Sequence, residues 1–200
     1  MSQMQEREIH TSLAKPQDCV LLVIDVQDKL IPTIAKADAV ITNIIALVKT
    51  AQVFRIPILI TEQEKLGSTV SQLKELLDQY GAYHPIVKQY FSCCKDTSFR
   101  QALEHTHKER LLVAGMETHI CIAQTALDLL ANDYLLHIAA DATSSHTTED
   151  RKIALERLSS QGATITTTEA LIYELTATAQ TPVFKQILDL VKDRRNSLSG

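Results

Sequence analysis

Hydrophobic residues follow two alternating patterns along the chain. Short unbroken apolar runs, of which residues 19–24 are the first, predict strands buried on both faces of a parallel sheet. Between these runs, apolar residues recur every three or four positions, which predicts helices. The predicted strands are residues 19–24, 58–60, 86–87, 111–115, 135–140 and 163–166. The predicted helices are residues 37–54, 69–79, 97–107, a helix after Thr118, and residues 148–160, 169–177 and 183–192.

This alternation of strands and helices predicts an α/β fold. We expect a three-layer α/β/α sandwich around a six-stranded parallel sheet of order 3-2-1-4-5-6, a Rossmann-like arrangement with right-handed crossovers. No tract rich in Pro, Gly or Ser divides the 200 residues, so one domain over residues 1–200 is expected, with its core at about 18–192. Ser68 is predicted to cap the second helix, and the tail after Arg194 is predicted to fray.

Charge and composition limit the class of partner. The formal net charge is −4, so no general attraction for nucleic acid or for an anionic membrane is expected. No unbroken apolar run approaches the roughly 18 residues that cross a bilayer. The first residues mix charges and lack the order of a secretory signal, which predicts a cytoplasmic location. The expected partner is a small-molecule substrate.

Nucleotide-binding loops are not predicted. A dinucleotide site would place G-x-G-x-x-G directly after the first strand, but residues 25–30 read DVQDKL and contain no glycine. A Walker-type loop is also missing from the sequence. The chemistry must therefore come from side chains, and no cofactor is expected.

Cys121 is the strongest candidate for a reactive side chain. It follows the fourth strand where a helix begins, and the free amide N–H groups of a first helical turn favour a thiolate. The backbone N–H groups of Ile120 and Cys121 are the predicted oxyanion donors. A buried, unreactive cysteine is the alternative, because free cysteines are among the most buried residues.

Two charged residues are predicted to share this sheet edge. Asp25 ends the first strand and Lys88 follows the third, and the carboxyl ends of strands 1 and 4 flank the crevice of such a sheet. Taken singly, Asp25 could be a turn carboxylate and Lys88 a surface lysine. Their coincidence with Cys121 favours a shared site.

The segments that carry these residues resemble the isochorismatase-like (cysteine hydrolase) family. The matching segments are LVIDVQ (residues 22–27), ITEQ (60–63), VKQYFS (87–92) and VAGMETHICI (113–122). The resemblance runs from about residue 18 to residue 192. It implies an Asp-Lys-Cys triad at Asp25, Lys88 and Cys121, a cis peptide near Met116–Glu117, and assembly into dimers, tetramers or larger rings. Within the family, the chain is most similar to the branch that has the residues T-E-Q after strand 2, and that branch has no settled substrate.

The resemblance implies a cofactor-independent hydrolase that cleaves a C–N bond of a small amide, imide or ureido compound through a thioester on Cys121. Two alternatives stay open: a vinyl-ether hydrolase of the isochorismatase type, and a non-catalytic or thiol-redox scaffold. Further candidates for the substrate pocket follow the strands at the active edge. They are Gln27, Glu62, Gln63, Tyr90, Phe91, Glu117 and Thr118.

Other titratable residues are given lesser roles. Nicotinamidases of this family hold a metal through histidines after strand 2, but residues 61–67 contain no histidine, so no metal is expected. His105 and His107 are two positions apart and would not share a helix face. His119 is a rival base for Cys121. Asp141 is expected to organise its loop. A redox role for the adjacent cysteines Cys93 and Cys94 stays open.

Overall fold

A six-stranded sheet forms the centre of the molecule. The computed structural model describes residues 12–199. Its strands are β1 (Cys19–Ile24), β2 (Ile58–Gln63), β3 (Ile86–Lys88), β4 (Arg110–Met116), β5 (Leu135–Ser144) and β6 (Thr164–Thr166). All neighbouring strands are parallel and their order is β3-β2-β1-β4-β5-β6, which confirms the predicted topology.

Helices cover both faces of this sheet. They are α1 (Ala37–Phe54), α2 (Ser71–Gln79), α3 (Thr97–Thr106), α4 (Ala123–Leu130), α5 (Thr148–Ser160), α6 (Thr168–Thr176) and α7 (Phe184–Ser199). Apolar side chains of α1, α2 and α6 pack on one face, and those of α3, α4 and α5 pack on the other. The prediction of a three-layer α/β/α sandwich is therefore confirmed.

Helix α1 has the length and apolar composition of a membrane-crossing helix, although about 50% of it is buried inside the protein. Its residues Val40, Ile44 and Leu47 belong to the core between the helix and the sheet. The apolar face of α1 is explained by this packing, because a core helix needs the same composition.

The start of α2 differs from the prediction. Val70, not Ser68, occupies the cap position, and no side chain caps the helix. The backbone N–H and the hydroxyl of Thr69 both donate to Glu62 Oε1, each at 2.8 Å, and Gln27 forms a bridge with Thr69. These long-range contacts keep the preceding residues extended and delay the first turn of α2.

The C-terminal helix also departs from expectation, because α7 continues to Ser199 where fraying after Arg194 was predicted. Arg194 donates to Asp141 Oδ2 at 2.8 Å and to Glu169 Oε2 at 3.1 Å, and Arg195 also pairs with Glu169. These ion pairs join α7 to β5 and α6. The end of the helix is held by side chains too distant in sequence for local patterns to reveal.

Gly115 sets the separation of β1 and β4 at the carboxyl edge of the sheet. It pairs with Ile24 and has φ +125°, a conformation that residues with a side chain rarely adopt. A Cβ atom at this position would overlap the carbonyl oxygen of Ile24. The missing side chain brings the strand that leads to Cys121 close to the strand that leads to Asp25.

Candidate active site

Asp25, Lys88 and Cys121 meet at the carboxyl edge of the sheet. Lys88 Nζ lies 2.6 Å from Asp25 Oδ2 and 3.6 Å from Cys121 Sγ. Asp25 is 0% exposed, Lys88 1% and Cys121 7%. A buried ion pair in direct contact with a thiol is thus assembled from residues that are up to 96 positions apart in the chain.

The local backbone aims each of these side chains. Asp25 has φ 53°, a left-handed conformation that Asp tolerates better than most residues, and its N–H donates to the carbonyl of Thr61 at 3.1 Å. Lys88 lies on the same face of β3 as Ile86, which packs against the apolar cluster that includes Cys121. Cys121 belongs to a π-helical turn, Thr118–Ile122, directly before α4. The sequence indicated a turn at this point but not its π geometry.

Strand β2 contributes two polar partners. Thr61 Oγ1 donates to Asp25 Oδ1 at 2.7 Å, and Gln63 Oε1 accepts from Lys88 Nζ at 2.8 Å. Lys88 Nζ also lies 3.4 Å from the backbone carbonyl oxygen of Tyr90. Gln63 was predicted near the site, whereas Thr61 was missed. The alternation of side chains along β2 could have revealed Thr61, because it shares a face with Gln63.

The charges of the site follow from burial and from these contacts. Burial and the negative charge of Asp25 raise the pKa of Cys121, and the nearby Lys88 ammonium opposes that rise without cancelling it. Burial alone would lower the pKa of Lys88, but the charge of Asp25 and the two thiols of Cys93 and Cys121 together raise it. These contacts therefore favour the neutral form of the Cys121 thiol and the charged form of Lys88.

The predicted oxyanion donors are only partly compatible with the structure. The N–H of Ile120 donates to the carbonyl oxygen of Glu117 at 3.1 Å, so the expectation that this group is free was wrong. The π-helical turn causes this, since it closes back on Glu117, which also accepts from Ile122 at 3.2 Å. The Cys121 N–H stays a predicted donor. The Met116–Glu117 peptide bond is cis.

Two further residues of this turn stay candidates for substrate contact. The Thr118 hydroxyl is buried, and within residues 12–199 it has no hydrogen-bond partner. A buried polar group without a partner is unfavourable, and a bound ligand would relieve that cost. Glu117 Oε2 accepts from the N–H of His146 at 2.7 Å, which ties the turn to the end of β5.

Gln27 and Glu62 have structural roles that the sequence did not indicate. The Gln27 side chain bonds to the backbone of Gln63 in both directions and to the carbonyl of Gly67 at 2.7 Å, and Gln27 is fully buried. Glu62 Oε1 accepts from Thr69 and from the Tyr83 hydroxyl, on the opposite face of β2 from Thr61. Substrate contact by either residue stays a prediction.

Tyr90 and Phe91 lie on the surface beside the triad. Tyr90 is 58% and Phe91 53% exposed. They line a groove of about 490 Å³ whose other walls come from the segment after β3 and from α4. These other lining residues are Gln89, Ser92, Lys95, Gln124, Leu127 and Asp128. The groove is adjacent to the site, since the Tyr90 carbonyl contacts Lys88, and a substrate role for both aromatic residues stays a prediction.

The remaining titratable candidates point elsewhere. His119 Nδ1 lies 3.0 Å from Ser145 Oγ and 3.9 Å from Glu117 Oε2, so this nitrogen faces the end of β5. Asp141 Oδ1 accepts from the backbone N–H and the hydroxyl of Thr168, which agrees with a role in loop structure. Among residues 12–199 there is no cluster of three or more His, Cys, Asp or Glu side chains that could hold a metal ion.

Another buried thiol, that of Cys93, lies close to the triad. It is 0% exposed, its Sγ is 4.0 Å from Thr61 Oγ1, and its N–H donates to Thr125 Oγ1 at 3.0 Å. Its neighbour Cys94 is partly buried, and its sulfur lies 3.9 Å from the Thr125 carbonyl oxygen. Both cysteines are free thiols.

Solved structures share this fold. The ribonuclease described as MAR1 from Caenorhabditis elegans is 32% identical, with a TM-score of 0.81 over 89% of this chain and 91% of that one. The YcaC gene product of Escherichia coli, described as an octameric hydrolase of unknown specificity, has a TM-score of 0.85 over 96% and 97% of the two chains. At 22% identity, the second likeness concerns the fold alone.

Sequence comparison identifies the family. Residues 19–170 match the model of the isochorismatase domain. Isochorismatase family protein 1B of Dictyostelium discoideum is 35% identical over 187 residues, which are 92% of this chain and 90% of that protein. Isochorismatase domain-containing protein 2A of Mus musculus is 35% identical over 89% of this chain and 84% of that protein. The chain belongs to the isochorismatase family.

Proposed function

We propose that this protein is a cysteine hydrolase that cleaves a C–N bond of a small amide, imide or ureido compound. One observation carries the proposal: the Cys121 thiol contacts the Lys88 ammonium, which is paired with the Asp25 carboxylate at 2.6 Å. A nucleophile, a proton acceptor and a cation within contact distance are the parts that acyl transfer by a thiol requires.

The first half of the reaction forms a thioester. Asp25 accepts the proton of the Cys121 thiol as the sulfur attacks the carbonyl carbon of the substrate; both groups contact the Lys88 ammonium. The tetrahedral intermediate then expels nitrogen, which takes the proton from Asp25 and leaves as an amine. Cys121 keeps the acyl group. This use of one carboxylate as base and then as acid is ordinary general acid–base catalysis.

The second half restores the enzyme. Water attacks the thioester carbonyl while Asp25 accepts its proton, and the sulfur departs as the leaving group and regains that proton. Lys88 remains charged throughout and stabilises negative charge on sulfur and on the carboxylate. The Cys121 N–H is the proposed backbone donor to the oxyanion, and the Thr118 hydroxyl is a second donor within the same turn.

A screen of amides, imides and carbamoyl compounds tests this function. The wild-type protein is expected to release amine or ammonia and to show a mass increase on Cys121 equal to the acyl group. Cys121→Ala should abolish both signals, and Cys121→Ser should abolish the thioester. Hydrolysis that persists in Cys121→Ala would instead favour the vinyl-ether type of reaction, and a protein inert to the whole screen would favour a scaffold.

The setting of the reaction is also proposed. The octameric state described for the Escherichia coli neighbour favours assembly of this chain into a homo-oligomer. A cytoplasmic location and a single-domain organisation stay predictions from the sequence. Sedimentation of the purified protein measures the assembly directly, and a monomer at micromolar concentration would contradict it.

A further inference from the structure

Thr61 is hydrogen-bonded twice to Asp25, the acidic partner of the ion pair. It is fully buried on β2, and both its backbone and its side chain bond to Asp25: the carbonyl oxygen accepts from the Asp25 N–H at 3.1 Å, and the hydroxyl donates to Asp25 Oδ1 at 2.7 Å. Two residues further along the same face of β2, Gln63 accepts from Lys88 Nζ. One strand therefore contacts both ions.

The two oxygens of Asp25 consequently have different partners. Oδ1 accepts from Thr61, and Oδ2 accepts from Lys88 at 2.6 Å. The terminal torsion of an aspartate is broad and is not fixed by rotamer preference, so an external contact must define which way the carboxylate plane faces. The Thr61 hydroxyl supplies that contact at Oδ1, while Lys88 engages Oδ2.

We propose that Thr61 is a positioning residue that fixes the Asp25 carboxylate so that it faces both Lys88 and the Cys121 thiol. This inference rests on the proposed function of Cys121 as nucleophile. Thr61 cannot act on a substrate directly, because it is 0% exposed and its hydroxyl is already bonded to Asp25. A threonine that merely favours strand structure would fill the same space without needing its hydroxyl.

Two variants separate these roles. Thr61→Val keeps the β-branched shape and removes the hydroxyl, whereas Thr61→Ser keeps the hydroxyl. Thr50→Val is the matched control, because Thr50 is equally buried and its hydroxyl bonds to the Ala46 carbonyl within α1, far from the triad.

The first measurement is the split between kcat and KM on a substrate from the amide screen. Thr61→Val is expected to lower kcat by about 10- to 100-fold, because small errors in the placement of a reacting group have effects of that order. KM should stay within about twofold, since Thr61 does not reach the substrate. Thr61→Ser and Thr50→Val should keep kcat near the wild-type value.

The second measurement does not depend on turnover. The S–H stretching band of Cys121, identified in the infrared difference between wild type and Cys121→Ala, reports the hydrogen bond of the thiol. Thr61→Val should shift this band toward a weaker bond, and Thr61→Ser should restore it. An unshifted band in Thr61→Val overturns the positioning role. A shifted band in a protein without thioester or turnover supports the positioning role and overturns the proposed function instead.

Discussion

Cys121 and Cys93 are two buried thiols on the same face of the sheet, yet of the two only Cys121 contacts the ion pair of Asp25 and Lys88 among the described residues. Burial raises the pKa of both, that of Cys93 to about 12, so acidity does not separate them. Cys121 retains 7% exposure and contacts Lys88, whereas Cys93 is 0% exposed and its sulfur lies near the Thr61 hydroxyl. Solvent access and direct contact with the Lys88 ammonium are thus the two features that set Cys121 apart, and the proposed role of Cys121 as nucleophile depends on both.

Removing the Lys88 ammonium tests the first difference between the two thiols, the ion pair that Cys121 contacts. Lys88→Met should lower the free energy of unfolding by about 3–5 kcal/mol, because the buried Asp25 carboxylate loses its counter-ion. Urea unfolding measures the change. The double variant Asp25→Asn with Lys88→Met should recover most of the loss, since it leaves no uncompensated charge. Equal losses in the single and double variants would show that the ion pair is not the cause.

Labelling with iodoacetamide tests the second difference, the access of reagent to each thiol. In the native protein Cys121 is expected to be alkylated about 100-fold faster than Cys93, because Cys93 reacts only after local opening of the structure. Mass spectrometry of tryptic peptides at timed intervals gives both rates. In urea the two rates should become similar. Native rates within a factor of about two would remove the distinction between the thiols.

The stability of the protein at alkaline pH tests the property that the two thiols share, which is burial. The folded protein keeps the Cys93 thiol protonated up to about pH 12, whereas the unfolded chain loses that proton near pH 9.0. The contribution of this thiol to the free energy of unfolding is therefore fully present below pH 9 and is lost as the pH rises toward 12. The expected loss between pH 8 and pH 10 is about 1 kcal/mol. Urea unfolding of wild type and Cys93→Ala at both values should show a smaller loss in the variant. An identical loss in both would exclude Cys93 as a contributor.

The sequence predicted the sheet well because the signals were local and strong. Unbroken apolar runs such as residues 19–24 define strands buried on both faces, and the helices between them require parallel connections. The positions of Asp25 and Lys88 followed from the strand ends. The order of the strands and the sheet edge that carries the site were therefore predictable.

The contacts that complete the site were not predictable in the same way. Thr61 looks like an ordinary β-branched strand residue, and the positioning role that we propose for it depends on a hydrogen bond to a residue 36 positions away. The Ile120 N–H was expected to be free because an α-helical first turn leaves it free, but the π-helical turn engages it. Such features arise from tertiary packing, and local patterns do not encode them.

Gly115 has a consequence for protein engineering. Because its missing side chain determines how closely β1 and β4 approach, substitution there would separate the backbone segments that carry Asp25 and Cys121. Variation intended to admit bulkier compounds should therefore be directed at the exposed aromatic pair, Tyr90 and Phe91, which can change without moving a strand. In a mutant library built on this chain, we expect variants at the rim of the groove to fold and variants at Gly115 to lose the close approach of β1 and β4.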